Sequence, residues 1–157
     1  MILDIQWMTM AKWLILSLFL VVIAIKDIQE YRIPNKVLLL AFYVRIIIFI
    51  TELLMNKVKV NDFIVKTIVV VAILIAGIII NIVTHNGIGF GDIKLFIIVA
   101  LYVNINDILG IIINSIFIMG IITIILLVIR RKSRKDIVPF APAILLAVIV
   151  KGVSCYL

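Results

Sequence analysis

Six uninterrupted apolar runs dominate the sequence: residues 8–25, 34–54, 63–83, 93–103, 108–129 and 138–157. Continuous runs lack the alternation of a barrel strand, and a single unclosed strand in hydrocarbon would leave its backbone groups unpaired. Each run is therefore expected to be a helix. At about 20 apolar residues per crossing, six crossings use about 120 of the 157 residues and leave about 37 for ends and connections. The expected fold is all-α: a polytopic membrane protein of about six transmembrane helices, with residues 1–157 as one transmembrane domain.

Composition closes the other routes. At 66% hydrophobic and 15% charged residues, with a mean hydropathy of +1.40, the chain is too apolar for an ordinary soluble domain or a disordered one. The net charge of +7 is read as membrane topology, with no nucleic-acid partner implied. Cys155 is the single cysteine, so neither an intrachain disulfide nor a multi-cysteine zinc site is expected. The first residues, Met1 to Asp4, carry no basic segment, and no small-residue cleavage pattern follows the first run, so that run is expected to stay as a helix.

Orientation follows from where the bases fall. With the N-terminus outside, the inner connections hold Lys26, Arg32, Lys36, Lys94, Arg130, Arg131, Lys132, Arg134 and Lys135, nine of the 15 lysines and arginines. The positive-inside rule then places both termini outside. The fourth run is anomalous, since eleven residues reach only about 16 Å across a core of about 30 Å. Either its helix continues through Asn104, Asn106 and Asp107, or Asp92 begins already recessed.

That topology brings two acids to one membrane face, Asp27 closing the first run and Asp92 opening the fourth. Two carboxylates in a low-dielectric niche cannot both ionise cheaply, so they share a proton. Such a pair can activate water and protonate a leaving amine. Ahead of Asp92 stand Gly87, Gly89 and Gly91, which would permit extended or positive-φ backbone and close approach of another chain. Without neighbours, either acid would read as an ordinary interfacial charge.

The neighbours decide the matter. Asp27 is followed by Arg32-Ile33-Pro34-Asn35, then by Gly89-Phe90-Gly91-Asp92-Ile93-Lys94-Leu95, and late in the chain by Val138-Pro139-Phe140-Ala141-Pro142. These three segments, in this order among six apolar runs, resemble the type IV prepilin peptidases, intramembrane aspartyl proteases of the Gly-x-Gly-Asp type. The resemblance implies that Asp27 and Asp92 are catalytic. It also implies that the substrates are pilin-like precursors, whose short basic leaders are cut at the cytoplasmic face of the cell membrane. No cofactor or metal is implied. Ala141 stands where the family usually has glycine. The cytoplasmic loop with paired cysteines, linked in many members to methylation of the new N-terminus, has no counterpart after the first run. The chain resembles the short members that serve tight-adherence or archaeal-type pili.

Supporting roles are expected around the pair. Gly89 and Gly91 give a close-approach strip, and Pro34 suits the first turn of the second helix, where its missing N–H costs nothing. Asn35 is expected to bond nearby backbone. Lys94 either biases the pair's ionisation or snorkels to lipid phosphates. Glu30 is placed to meet a basic leader, and His85 is read as a structural polar contact. Arg45 is expected to pair with Glu52, two turns along the same face, or with Asp107. Lys12, Lys66 and Lys151 are expected to snorkel, and the Arg130 to Lys135 cluster to form a stop-transfer loop. Two rivals are weaker. A presenilin-like protease would carry a tyrosine before its first aspartate, where this chain has Lys26, and a proton-coupled transporter or inert subunit would hold its acids at the midplane.

Overall fold

The computed structural model describes residues 2–55, 60–85, 89–129 and 138–156, and every element among them is a helix: α1 (Ile2–Glu30), α2 (Asn35–Leu54), α3 (Val60–Val83), α4 (Phe90–Tyr102), α5 (Ile105–Val128) and α6 (Ala141–Tyr156). Four of these, over Trp7–Glu30, Asn35–Leu54, Asn61–Val83 and Ile105–Val128, are long and apolar enough to cross a membrane. The protein is thus an all-α polytopic membrane protein. The Arg130 to Lys135 cluster and Gly87 lie outside the described residues.

The fourth run resolves its own anomaly. Its helix is 13 residues long, about 20 Å at 1.5 Å per residue, and it does not continue through the polar residues. Val103 and Asn104 turn extended, with ψ of 166° and 151°, and a new helix opens at Ile105. Tyr102, Val103 and Asp107 are buried while Asn104 and Asn106 between them are exposed, so the α4–α5 turn packs on the protein by one side only.

α4 is accordingly the centre of the bundle, burying Ile93, Leu95, Ile98, Val99, Ala100 and Tyr102 against α1, α2, α3 and α5. α1 contributes one stripe, Trp13, Leu16, Leu20, Ile23 and Asp27, at alternating spacings of three and four. α6 lies between α1 and α5. Its buried Ala141, Ala143 and Ala147 bring its backbone close to both neighbours. α3 leans on α4 at Gly77, where an added Cβ would sit 2.9 Å from Ile93. The outward faces carry exposed Ile, Leu, Val and Phe side chains, the surface that lipid would cover.

Two local expectations need correcting. Pro34 is not in the first turn of α2 but is its N-cap, with ψ 110° and its carbonyl accepting from the amides of Val37 and Leu38. The last helix starts at Ala141, three residues later than the apolar run, because Val138 to Phe140 stay non-helical. A proline pushes the residue before it out of the helical region, and Pro139 does this to Val138. Pro142 is tolerated because it falls in the first turn, where no intrahelical N–H partner exists.

Candidate active site

Because successive helices reverse direction, one end of the bundle gathers the C-terminus of α1 and the N-termini of α2, α4 and α6. Asp27 occupies the last turn of α1 and is 5% exposed. Its Oδ2 accepts a hydrogen bond of 2.9 Å from the backbone N–H of Ala141. That amide is the first of α6, one of the four donors that a helix start leaves without an internal partner. The donor is tightly placed, since Ala141 itself is fully buried.

Asp92 stands in the first turn of α4, at the polar boundary just ahead of the apolar run. Gly89 caps this helix, its carbonyl accepting the amide of Asp92 at 3.0 Å. In return the Gly89 amide hydrogen-bonds the Asp92 carboxylate, a reciprocal arrangement like a capping box. Burial, and after it the negative charge of Asp27, push the Asp92 carboxyl up to about 6, with the Gly89 amide acting in the opposite sense. The two acids therefore feel each other electrostatically across the helix ends.

Both glycines work by closeness. A Cβ on Gly89 would lie 3.2 Å from Asp92 Oδ2, and one on Gly91 would lie 3.2 Å from Ile33 Cβ. Gly91 thus lets the start of α4 approach the α1–α2 connection. Neither has positive φ, contrary to one part of the sequence expectation. The left-handed positions among the described residues are instead Tyr31, φ 52°, and His85, φ 51°, which end α1 and α3. The Tyr31 amide still closes back on the Asp27 carbonyl at 2.9 Å, and the positive φ then turns the chain off the helix.

Lys94 is exposed and its side chain reaches across to α2. Its Nζ donates to Asn35 Oδ1 at 3.2 Å, which ties α4 to the start of α2 and gives Asn35 a side-chain partner in place of the expected backbone one. Phe96 of α4 meets Phe140 edge to face, with centroids 5.5 Å apart, so the Val138 to Pro142 segment is clamped onto the helix that carries Asp92. Glu30 is exposed at the end of α1, within 3.7 Å of Lys26. It is near the acids in sequence but not drawn in with them. His85 is also exposed.

At the opposite end of the bundle the lysines do not snorkel. Lys12 Nζ meets Glu52 Oε1 at 2.7 Å, Arg45 Nη1 meets Glu52 Oε2 at 3.0 Å, and Lys151 Nζ meets Asp107 Oδ1 at 3.2 Å. Lys66 Nζ donates to the Val103 carbonyl at 2.9 Å. A partner within reach on another helix outcompetes a journey to the headgroups, since it neutralises the charge where it stands. Of the two partners expected for Arg45, the structure selects Glu52.

The residue that sequence reasoning passed over is Ala141, or more exactly its amide. The segment around it was recognisable, but the contribution is a backbone N–H, which no side-chain pattern announces. Its one signal is the pair of prolines, Pro139 and Pro142, that fix where α6 begins. Among the described residues, no group of three or more His, Cys, Asp or Glu side chains is gathered as metal ligands would be.

Residues 14–124 match the family model described as the type IV leader peptidase family. The matched stretch takes in both acids, the Arg32 to Asn35 segment and the Gly89 to Asp92 segment, and stops before Val138. No curated protein and no solved structure matches the chain significantly.

Proposed function

This chain belongs to the type IV leader peptidase family, and on that premise we propose that it is an aspartyl endopeptidase that removes the short basic leader of type IV pilin-like precursors at the cytoplasmic face of the membrane. The observation that carries the reading is the pair itself. Asp27 arrives as a hydrogen-bond acceptor anchored by the Ala141 amide, and Asp92 arrives as a carboxyl whose proton is retained to about pH 6 by burial and by Asp27. One acceptor and one proton donor from two helices are what a non-covalent peptide hydrolysis requires.

In the proposed reaction Asp27 takes a proton from water while the water oxygen bonds to the scissile carbonyl carbon. Asp92 gives its proton to the carbonyl oxygen, forming a neutral gem-diol. The C–N bond then breaks as Asp27 passes its proton to the leaving nitrogen, and Asp92 regains one from a diol hydroxyl. Both acids end as they began. Gly89 and Gly91 keep the Asp92 carboxyl close to the α1–α2 connection, Pro34 and Asn35 start α2 beside it, and Lys94 holds the two helix starts together through Asn35. Glu30, exposed at the rim, offers negative charge to a basic leader. The cytoplasmic assignment is supported by the bases at this end, Lys26, Arg32, Lys36 and Lys94 among them.

The test is co-expression with a pilin-like precursor, scored by gel shift and by mass spectrometry of the new N-terminus. Asp27→Asn and Asp92→Asn keep size and most hydrogen bonding but cannot trade a proton, so each should stop cleavage while the protein still accumulates in membranes. Retained processing in either variant removes the assignment, as does a loss that merely follows loss of protein.

A further inference from the structure

The charged residues buried away from the aspartates form a continuous relay. Lys12 of α1 holds Glu52 of α2 at 2.7 Å, Glu52 holds Arg45 at 3.0 Å, and Arg45 Nε donates to the Leu101 carbonyl of α4 at 2.7 Å. Arg45 and Glu52 are 7% and 3% exposed. Leu101 lies in the last turn of α4, where carbonyls lack an intrahelical donor. Tyr102 adds a second tie, its hydroxyl donating to the Ala41 carbonyl of α2 at 2.7 Å.

Bridges of this kind add little net stability, because desolvating the charges offsets most of their attraction. Their best-attested use is to fix register. What they join here is specific: α1 and α4, the two helices that bear Asp27 and Asp92, are linked to each other through α2 at the ends remote from those acids. The lengths also agree. Asp27 to Lys12 is about 22 Å along α1, while Asp92 to Leu101 is about 14 Å along α4 and Arg45 to Glu52 about 10 Å along α2. The relay therefore closes a loop whose two arms reach the same level at the aspartates.

We propose that Arg45, with Lys12 and Glu52, is a positioning device that sets the axial register of α1 against α4 and thereby the separation of Asp27 and Asp92. A side chain at the far end of the bundle would then govern catalysis without touching substrate. The proposal rests on the reading of the two aspartates as the catalytic pair, and the test separates the two.

The triple variant Lys12→Met, Arg45→Met, Glu52→Met removes all three charges at similar volume, so it should fold and accumulate. In a Cys155→Ser background, spin labels at Gln29 and Phe90, both exposed beside the aspartates, report the α1–α4 distance by pulsed electron resonance. The expected result is a shifted or broadened distance in the triple variant relative to the parent. In the unlabelled enzyme acting on a pilin-like precursor, kcat should fall by about ten- to a hundredfold, the scale of an ångström's misplacement, with KM little changed. Lys12→Arg, which keeps the contact to Glu52, should retain the parental distance and rate. An unchanged distance in the triple variant overturns the proposal, whatever the activity. So does a changed distance with an unchanged kcat. If the parent itself cleaves no precursor, the proposed function fails, and the distance measurement still decides whether the relay sets register.

Discussion

The two ends of the bundle treat charge in opposite ways. At one end Lys12 and Arg45 both meet Glu52, and Lys151 meets Asp107, while Lys66 is held by the Val103 carbonyl. At the other end Asp27 and Asp92 face each other's field, and none of the described ion pairs includes either. Lys94, two residues from Asp92, is turned to the neutral Asn35. A cation bound to Asp92 would hold it ionised and remove the proton that it gives up in the proposed reaction. Matched charge makes structure, and in the proposed reaction unmatched charge makes a reagent. The difference lies in which partners the helix ends supply, because the residue types are nearly the same.

The most drastic way to break the contrast is at the acids. Asp27→Asn or Asp92→Asn should each reduce leader cleavage by about a thousandfold or more, and the double variant should be no worse than either single one, since the pair acts as a unit. Additive losses, measured as initial rates on a purified precursor, would mean that the two acids work independently. Asp107→Asn and Asp62→Asn lie at the opposite end and should leave cleavage largely intact.

At the matched end the damage should be to stability. Glu52→Ala leaves Lys12 and Arg45 facing each other unneutralised, and losing one partner of a buried pair costs about 3–5 kcal/mol. Unfolding in mixed micelles should show it. A loss below about 1 kcal/mol would place Glu52 in the class of exposed pairs.

Titration sharpens the comparison further. The Asp92 carboxyl is raised from 3.8 to about 6, so the folded protein holds this proton more tightly than the unfolded chain. The associated stability is complete below about pH 4 and is lost as pH rises through about 6. Cleavage by the proposed reaction, with Asp92 as proton donor, should decline over the same upper range. Its pH profile in liposomes is the check, and an undiminished rate well above neutrality would remove Asp92 as the proton donor. The smallest effect expected is at the turn that follows Asp27. Tyr31 is held at φ 52°, a conformation that costs a side-chain-bearing residue about 1–2 kcal/mol and glycine very little. Tyr31→Gly should raise the unfolding midpoint slightly, with cleavage retained.

Much of this was legible in the residues. The run lengths give six helices, and Asp27 and Asp92 stand out by the segments around them. The faces did not stand out. On α1, Leu16 and Leu20 are buried while Leu14 and Leu18 are exposed, and no periodicity separates identical residues when lipid and protein interior are equally apolar. The lysines were ambiguous for a related reason. A long side chain reaches either a headgroup or a neighbouring helix, and only the placement of Glu52 and Asp107 decides between them. Pairing across 40 residues, as between Lys12 and Glu52, has no local trace.

The hydrogen bond from Ala141 to Asp27 bears on how such a site can drift over generations. An aspartate is lost to almost any change of its codon, but a main-chain N–H is supplied by nineteen of the twenty amino acids. Alanine at this position supplies the donor as well as glycine would. Only proline lacks it, and a single base change separates the codons of alanine from those of proline. The donor is thus written into the main chain, and what the side chain at this position must satisfy is the tight packing around it.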